Sequence, residues 1–186
     1  MGFVKTDFAG VYLFEPLVFE DERGFFFESY NESVFRKNNI DTVFIQDNQS
    51  FSRYGVIRGL HYQLEPYSQS KLIRVLQGEI LDVVVDIRKG SPNFGKSFSI
   101  ELSSSNKKQL FIPKGFAHGF SVLSETAEIL YKCDNSYNKE SESGIIYNDP
   151  LLKIDWKIPA DKAIISSKDL GLPSFADCKN NFEFKG

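Results

Sequence analysis

Apolar and polar positions alternate in short runs along this chain, and turn residues separate the runs at close intervals. Residues 11–19 alternate weakly and stop at the turn Asp21-Glu-Arg-Gly24. Residues 25–30 read as a second strand, opening on three phenylalanines, and residues 43–51 as a third with a polar end, Gln46-Asp-Asn-Gln-Ser50. Further strands are predicted at about 55–63, 71–77, 79–87, 97–102 and 127–133. Asn31 can cap a short helix, Glu32 to Lys37, the one helix predicted in the first half. Beyond residue 135 the chain is loop-rich, with turns at Asn148-Asp-Pro150 and Ile158-Pro159 and one or two short elements. Many short strands between turns predict a mainly β barrel or sandwich, its few short helices mostly in the C-terminal part. No repeat or linker divides residues 1–186, so a single domain is expected.

One strand carries a conflict. In residues 79–87, Leu81, Val83, Val85 and Ile87 share a face, and Ile80, Asp82, Val84 and Asp86 share the other. Two carboxylates on one face point it toward solvent, or else toward a polar barrel interior.

Composition narrows the reading. The chain is 41% hydrophobic and 25% charged, which is globular, and its 18 Phe and 8 Tyr favour strands and broad packed faces. A net charge of −3 argues against general nucleic-acid binding, so an anionic ligand needs a local basic cluster. Cys133 and Cys178 are the only cysteines and form no disulfide framework, which points to a reducing cytoplasm. No run approaches the roughly 18 apolar residues of a membrane span, and Lys5 and Asp7 interrupt any signal-like core.

The candidate chemistry centres on residues 53–78, which hold His61, Arg53, Arg58, Lys71 and Arg74 among apolar strand residues. A lone strand histidine is ordinarily a hydrogen-bonded core residue. Here, cations nearby would keep the imidazole neutral, as a general base requires, and a carboxylate on its other nitrogen would orient it. Arg58 and His61 have opposite parity on a regular strand, so they share a cavity only if Gly59 forms a bulge. Lys71 and Arg74 raise the same difficulty. Arg23, Arg58 and Lys71 are candidates for binding phosphate or carboxylate, against the simpler alternative of surface ion pairs. Phe25, Phe26 and Tyr137 are candidates for stacking on a nucleobase, with ordinary core packing the preferred reading for two of the three. Pro113-Lys-Gly115-Phe-Ala-His118 matches a cupin-barrel motif whose histidine often binds metal, but with only two histidines the inventory favours metal-free chemistry.

Several stretches together resemble the dTDP-4-dehydrorhamnose 3,5-epimerase family. They are Asp21-Glu-Arg-Gly-Phe-Phe-Phe-Glu28, Gln46-Asp-Asn-Gln-Ser50, Arg58-Gly-Leu-His-Tyr-Gln63, Lys71-Leu-Ile-Arg74, Asp82-Val-Val-Val-Asp-Ile-Arg88, Ser91-Pro-Asn-Phe-Gly95, Ile112-Pro-Lys-Gly-Phe-Ala-His-Gly-Phe120, Tyr131-Lys132 and Ser167-Lys-Asp169. The resemblance implies a jelly-roll (cupin) barrel with no metal and no cofactor, acting as a homodimer on a dTDP-linked 4-keto-6-deoxy sugar. It implies His61 as base, Asp169 as its orienting acid, Lys71 at the enolate oxygen and Tyr131 as the proton donor on the opposite face. Matching binding positions are Arg23, Phe26, Glu28, Gln46, Asn48, Arg58, His118, Glu142 and Lys168. Some N-terminal ones are expected to reach the partner subunit's site. Inversion of both C3 and C5 is the expected reaction. Related proteins that invert one carbon or isomerise a 3,4-keto sugar are the nearest alternatives, and a non-catalytic nucleotide-sugar binding barrel is a more distant one.

Overall fold

The computed structural model describes residues 2–185. Its elements begin with β1 (Gly2–Lys5), β2 (Tyr12–Glu15), β3 (Phe19–Asp21), β4 (Gly24–Phe26) and α1 (Glu32–Lys37). The central ones are β5 (Gln46–Arg53), β6 (Val56–Gln63), β7 (Lys71–Gln77), β8 (Glu79–Asp86) and β9 (Ser97–Ser103). Then come β10 (Gln109–Ile112), β11 (Phe116–Val122), β12 (Thr126–Cys133), β13 (Glu142–Gly144), β14 (Ile164–Ile165) and α2 (Ser167–Leu170). One sheet has the order β1-β2-β10-β7-β12-β5 and the other β13-β6-β11-β8-β9, with β14 added beside β6. The two sheets face each other as the walls of a jelly-roll barrel. No helix among the described residues is long and apolar enough to cross a membrane.

Strand alternation decides which residues fill the barrel. Ile73, Val75 and Ile129 come from the first sheet, and Ile80, Val84, Phe116, Phe120 and Val122 from the second. The outward face of β8 is not wet either. Leu81, Val83, Val85 and Ile87 are covered by Ile145, Leu152, Trp156 and Phe182 of the C-terminal segment. Both carboxylates of β8 are therefore interior and fully buried, the second of the two expectations for that face. Each is paired: Asp86 takes a bidentate contact from Arg88, 2.6 Å from Nη2, and Asp82 meets His118. A buried charge is tolerated only with such partners. On the outer face of the first sheet, α1 packs Phe35 against Phe14, Leu72 and Phe111. The Asn31 side chain accepts from the N–H groups of Ser33 and Val34, which fixes where that helix begins.

Two expected strands are shorter than the apolar pattern suggests. β5 starts at Gln46, not at residue 43, because Val43 and Ile45 find no covering layer and are exposed. Of residues 25–30 only Phe25 and Phe26 are extended, in a β3–β4 hairpin whose strands pair only with each other. The core reading of the aromatic candidates is overturned. Phe25, Phe26 and Tyr137 are 59%, 71% and 55% exposed.

The parity conflict at Arg58 and His61 is resolved by a bulge. His61 stands opposite His118 on β11, while Arg58 stands opposite Phe120, so three steps on β6 match two on β11. Gly59 sits at the irregularity with φ of 117°. A Cβ there would lie 2.6 Å from the Gly119 Cα and 2.7 Å from the His118 carbonyl oxygen, which only glycine avoids. Lys71 and Arg74 have no such bulge, since β7 pairs with β10 without a break from Ile112–Lys71 to Gln109–Arg74. They accordingly diverge. Lys71 lines the barrel cavity, and Arg74 lies 4.7 Å over the Phe27 ring on the other side of the sheet.

Candidate active site

The barrel encloses a cavity of about 470 Å³. Its walls bring together Arg58, His61, Lys71, His118, Tyr131, Lys168 and Asp169, seven of the residues singled out from the sequence. Their placement follows from the sheets. Arg58, His61 and His118 come from one wall, on β6 and β11, and Lys71 and Tyr131 from the facing wall, on β7 and β12.

Asp169 arrives from far along the chain. β14 pairs in parallel with β6, Ile164 with Val56 and Ile165 with Ile57. That pairing delivers α2 to the cavity mouth. Ser166 caps α2 by accepting the Asp169 N–H at 3.1 Å. The buried Asp169 carboxylate then lies 2.8 Å from His61 Nε2 and accepts the Gly59 N–H at 3.1 Å on its other oxygen. Burial works against that carboxylate, but the contacts from His61 and Gly59 outweigh it and hold the acid below its usual range. With Nε2–H engaged, the free lone pair of a neutral His61 is on Nδ1.

The facing wall differs electrically. Burial pushes the Lys71 ammonium below its ordinary value, against the opposing pull of Cys133, Asp82 and Glu142. Burial pushes the Tyr131 phenol up, so it is a protonated donor at neutral pH. Together the walls present a carboxylate-held imidazole on one side, and a phenol with a lysine cation on the other.

A smaller cavity of about 180 Å³ adjoins the first, sharing His61, Lys71 and Tyr131, and is bordered by Gln46, Asn48, Tyr137 and Glu142. Its polar groups are linked in a chain. Gln46 donates to Asn48 at 3.0 Å, and the Tyr137 N–H donates to Gln46 at 3.2 Å. The Tyr137 hydroxyl and the Lys168 ammonium both donate to Glu142, at 3.0 and 2.6 Å. Burial raises the Glu142 carboxyl, but the bonds from Lys168 and Tyr137 prevail and lower it.

Arg23, Phe26 and Glu28 are not brought into either cavity. Arg23 and Phe26 lie on the exposed hairpin, where Arg23 grips Asp21 at 2.6 Å, and Glu28 accepts from Asn31 at 3.0 Å. For Arg23 the surface ion pair is thus what this chain forms alone. Arg58 instead donates to the Ser52 hydroxyl and the Phe51 carbonyl, with no acid on it among the described residues. Sequence reasoning missed Asp82, whose carboxylate lies 2.9 Å from His118 Nε2. The signal available was its parity with Ile80 and Val84, the interior residues of β8.

A two-sheet β-barrel with an imidazole–carboxylate pair facing a phenol and a buried cation defines an acid–base enzyme. The chain belongs to the dTDP-4-dehydrorhamnose 3,5-epimerase family of isomerases, whose sequence profile matches residues 5–177. A dTDP-4-dehydrorhamnose 3,5-epimerase of Shigella flexneri is 52% identical over 178 residues, covering 95% of this chain and 97% of that protein. One from Pseudomonas aeruginosa is 53% identical over 168 residues, 90% of this chain and 92% of that one. In three dimensions the chain is similar to a dTDP-6-deoxy-D-glucose-3,5-epimerase of Legionella pneumophila, solved in complex with dTDP-4-keto-L-rhamnose. The TM-score is 0.95 at 42% identity, covering 100% of this chain and 99% of that one.

Proposed function

We propose that this chain inverts C3 and C5 of dTDP-4-dehydro-6-deoxy-D-glucose to give dTDP-4-dehydro-L-rhamnose. The observation that carries the reading is the pair His61–Asp169 on one wall with Tyr131 on the facing wall. A C–H beside a ketone is acidic because its electrons can move to the carbonyl oxygen. His61 takes the proton, and Asp169 holds the ring and stabilises the imidazolium that forms. The new enolate oxygen is met by the Lys71 ammonium, the kind of electrostatic contact that carries much of catalysis. Tyr131 then protonates the carbon from the other face, which inverts it. Exchange with solvent restores both groups, and the same set serves the second carbon. Every step is redox-neutral proton transfer beside a ketone already present, so the reaction requires no electron carrier.

Binding follows from charge and hydrogen-bonding capacity. Arg58 suits the diphosphate, having donors to spare and no carboxylate partner among the described residues. His118, Gln46, Asn48, Tyr137, Glu142 and Lys168 supply polar contacts along the joined cavities. Arg23, Phe26 and Glu28 serve the site of a second copy in a homodimer, where the exposed aromatic hairpin finds its cover. A cytoplasmic location fits a nucleotide-linked substrate and two free cysteines.

The test is incubation with dTDP-4-dehydro-6-deoxy-D-glucose in D₂O. Deuterium at both C3 and C5 of an inverted product is expected. Label at one carbon reduces the reading to a single epimerisation, and no label with this substrate sinks it.

A further inference from the structure

Ser50 holds a position to which the proposed reaction gives no task. It lies on β5 between Asn48 and Ser52, and all three share one face of the strand. In register with β12, Asn48 stands opposite Tyr131 and Ser50 opposite Ile129. Ser52 accepts from Arg58 Nε at 3.1 Å. Ser50 therefore sits one pleat, about 7 Å, from the row of the proton donor. It is the same distance on the other side from the residue that holds the anion-binding guanidinium.

Ser50 lines the main cavity with His61, Lys71 and Tyr131. Its hydroxyl oxygen is buried and has no hydrogen-bond partner among the described residues. Its cross-strand neighbour on β12, Ile129, is apolar and offers none. Buried hydroxyls are nearly always paired, because an unpaired one loses its water without compensation. An orphan hydroxyl on the wall of a ligand cavity is explained if the ligand is the partner.

We propose that Ser50 is a substrate-binding residue, its hydroxyl bonding an oxygen between the reacting sugar carbons and the diphosphate. This rests on the epimerase reading, which puts the sugar beside Tyr131 and the diphosphate at Arg58. Three oxygens occupy that stretch, the ring oxygen, the sugar 2-hydroxyl and a phosphate oxygen next to C1, and a serine hydroxyl can donate to any of them.

Ser50→Ala and Ser50→Cys test it, through steady-state kinetics, thermal melting and titration with dTDP. The alanine variant is expected to melt no lower than wild type, because it removes an unpaired hydroxyl from the free protein. Its kcat/KM is expected to fall about tenfold. A matching loss of dTDP affinity assigns the contact to phosphate. Unchanged dTDP affinity assigns it to the sugar, to the 2-hydroxyl if the defect disappears on a substrate lacking that group and to the ring oxygen if it persists. Wild-type kcat/KM in both variants overturns the proposal while leaving the epimerase reading intact. A melting drop of several degrees in both, parallel with lost activity, also overturns it by making Ser50 structural. A wild-type protein that exchanges no deuterium removes the epimerase reading itself.

Discussion

His61 Nε2 and Asp169 Oδ1 meet at 2.8 Å across 108 residues of chain. The other oxygen of the same carboxylate accepts the Gly59 N–H at 3.1 Å. One acid therefore holds both the imidazole and the bulge that aims it. An amide replaces one of these two oxygens with an NH2 donor, which turns a donor toward one of the two N–H groups. Asp169→Asn is expected to lower kcat by about 10²–10⁴-fold while dTDP binding is kept. Rapid-quench kinetics beside dTDP titration would check it, and a near-normal kcat would contradict the orienting role.

The same contacts make Asp169 a contributor to stability with a defined pH window. Its folded carboxyl titrates below the ordinary value of 3.8. Between those two values the unfolded chain binds more protons, so stability rises with pH there. The contribution is complete above about pH 5 and is lost as pH falls through the folded value. Denaturant unfolding of wild type and Asp169→Asn should show a constant gap near neutral pH that narrows below pH 4. A gap that persists unchanged to pH 3 would exclude the ionised pair as its origin.

Lys71 and Tyr131 are shifted in opposite directions by the same cause. Burial lowers the ammonium from 10.5 and raises the phenol from 10.0. Loss of the Lys71 charge, which stabilises the enolate oxygen, is expected to give kcat an alkaline limb below 10.5. Tyr131→Phe keeps the base and the cation but lacks the opposite-face acid. It should still exchange substrate hydrogen with D₂O, while inversion drops at least ~100-fold. Lys71→Met should lose exchange and inversion together. Equal loss of exchange and inversion in Tyr131→Phe would remove the two-face assignment.

The strands were legible where alternation met a covering layer. β6, β7 and β8 lie close to their expected bounds because both faces of each find something to pack on. The same alternation misled at Val43 and Ile45, where no layer exists in this chain to bury them. Residue pattern alone marked His61 as a candidate base. It could not choose Asp169 among 25 acidic residues, because the β14–β6 pairing that delivers it is only two residues long. That choice came from the family resemblance. Asp82 was visible as a carboxylate of uncertain direction, and only the C-terminal segment over the other face of β8 turns it inward.

Gly59 is the backbone element on which the site depends most. Alanine there must adopt a φ of 117° and place its Cβ 2.6 Å from the Gly119 Cα. Relief means moving β6 away from β11, and both Arg58 and His61 move with it. Gly59→Ala is expected to destabilise the fold by about 2–4 kcal/mol. It should also cost activity beyond what residual unfolding explains, when assayed well below its melting temperature. A stable, fully active Gly59→Ala would show that the bulge is not what places the two side chains.

Arg23 tests the homodimer, because it lies outside the cavity that holds His61 and on a hairpin that pairs with no other strand among the described residues. If Arg23 serves a partner's site, Arg23→Ala and His61→Ala place their lesions in one shared site from two chains. In a mixed dimer one site then carries both lesions and the other carries neither. Random reassortment gives half mixed dimers, each with one intact site, so co-refolding the two variants should recover about a quarter of wild-type activity. If each site is built from one chain, Arg23 lies outside it, Arg23→Ala alone keeps full activity, and the mixture shows only the mean of the two variants, about half of wild type. Co-refolding, with the dimer checked by sedimentation, separates the two arrangements in one experiment.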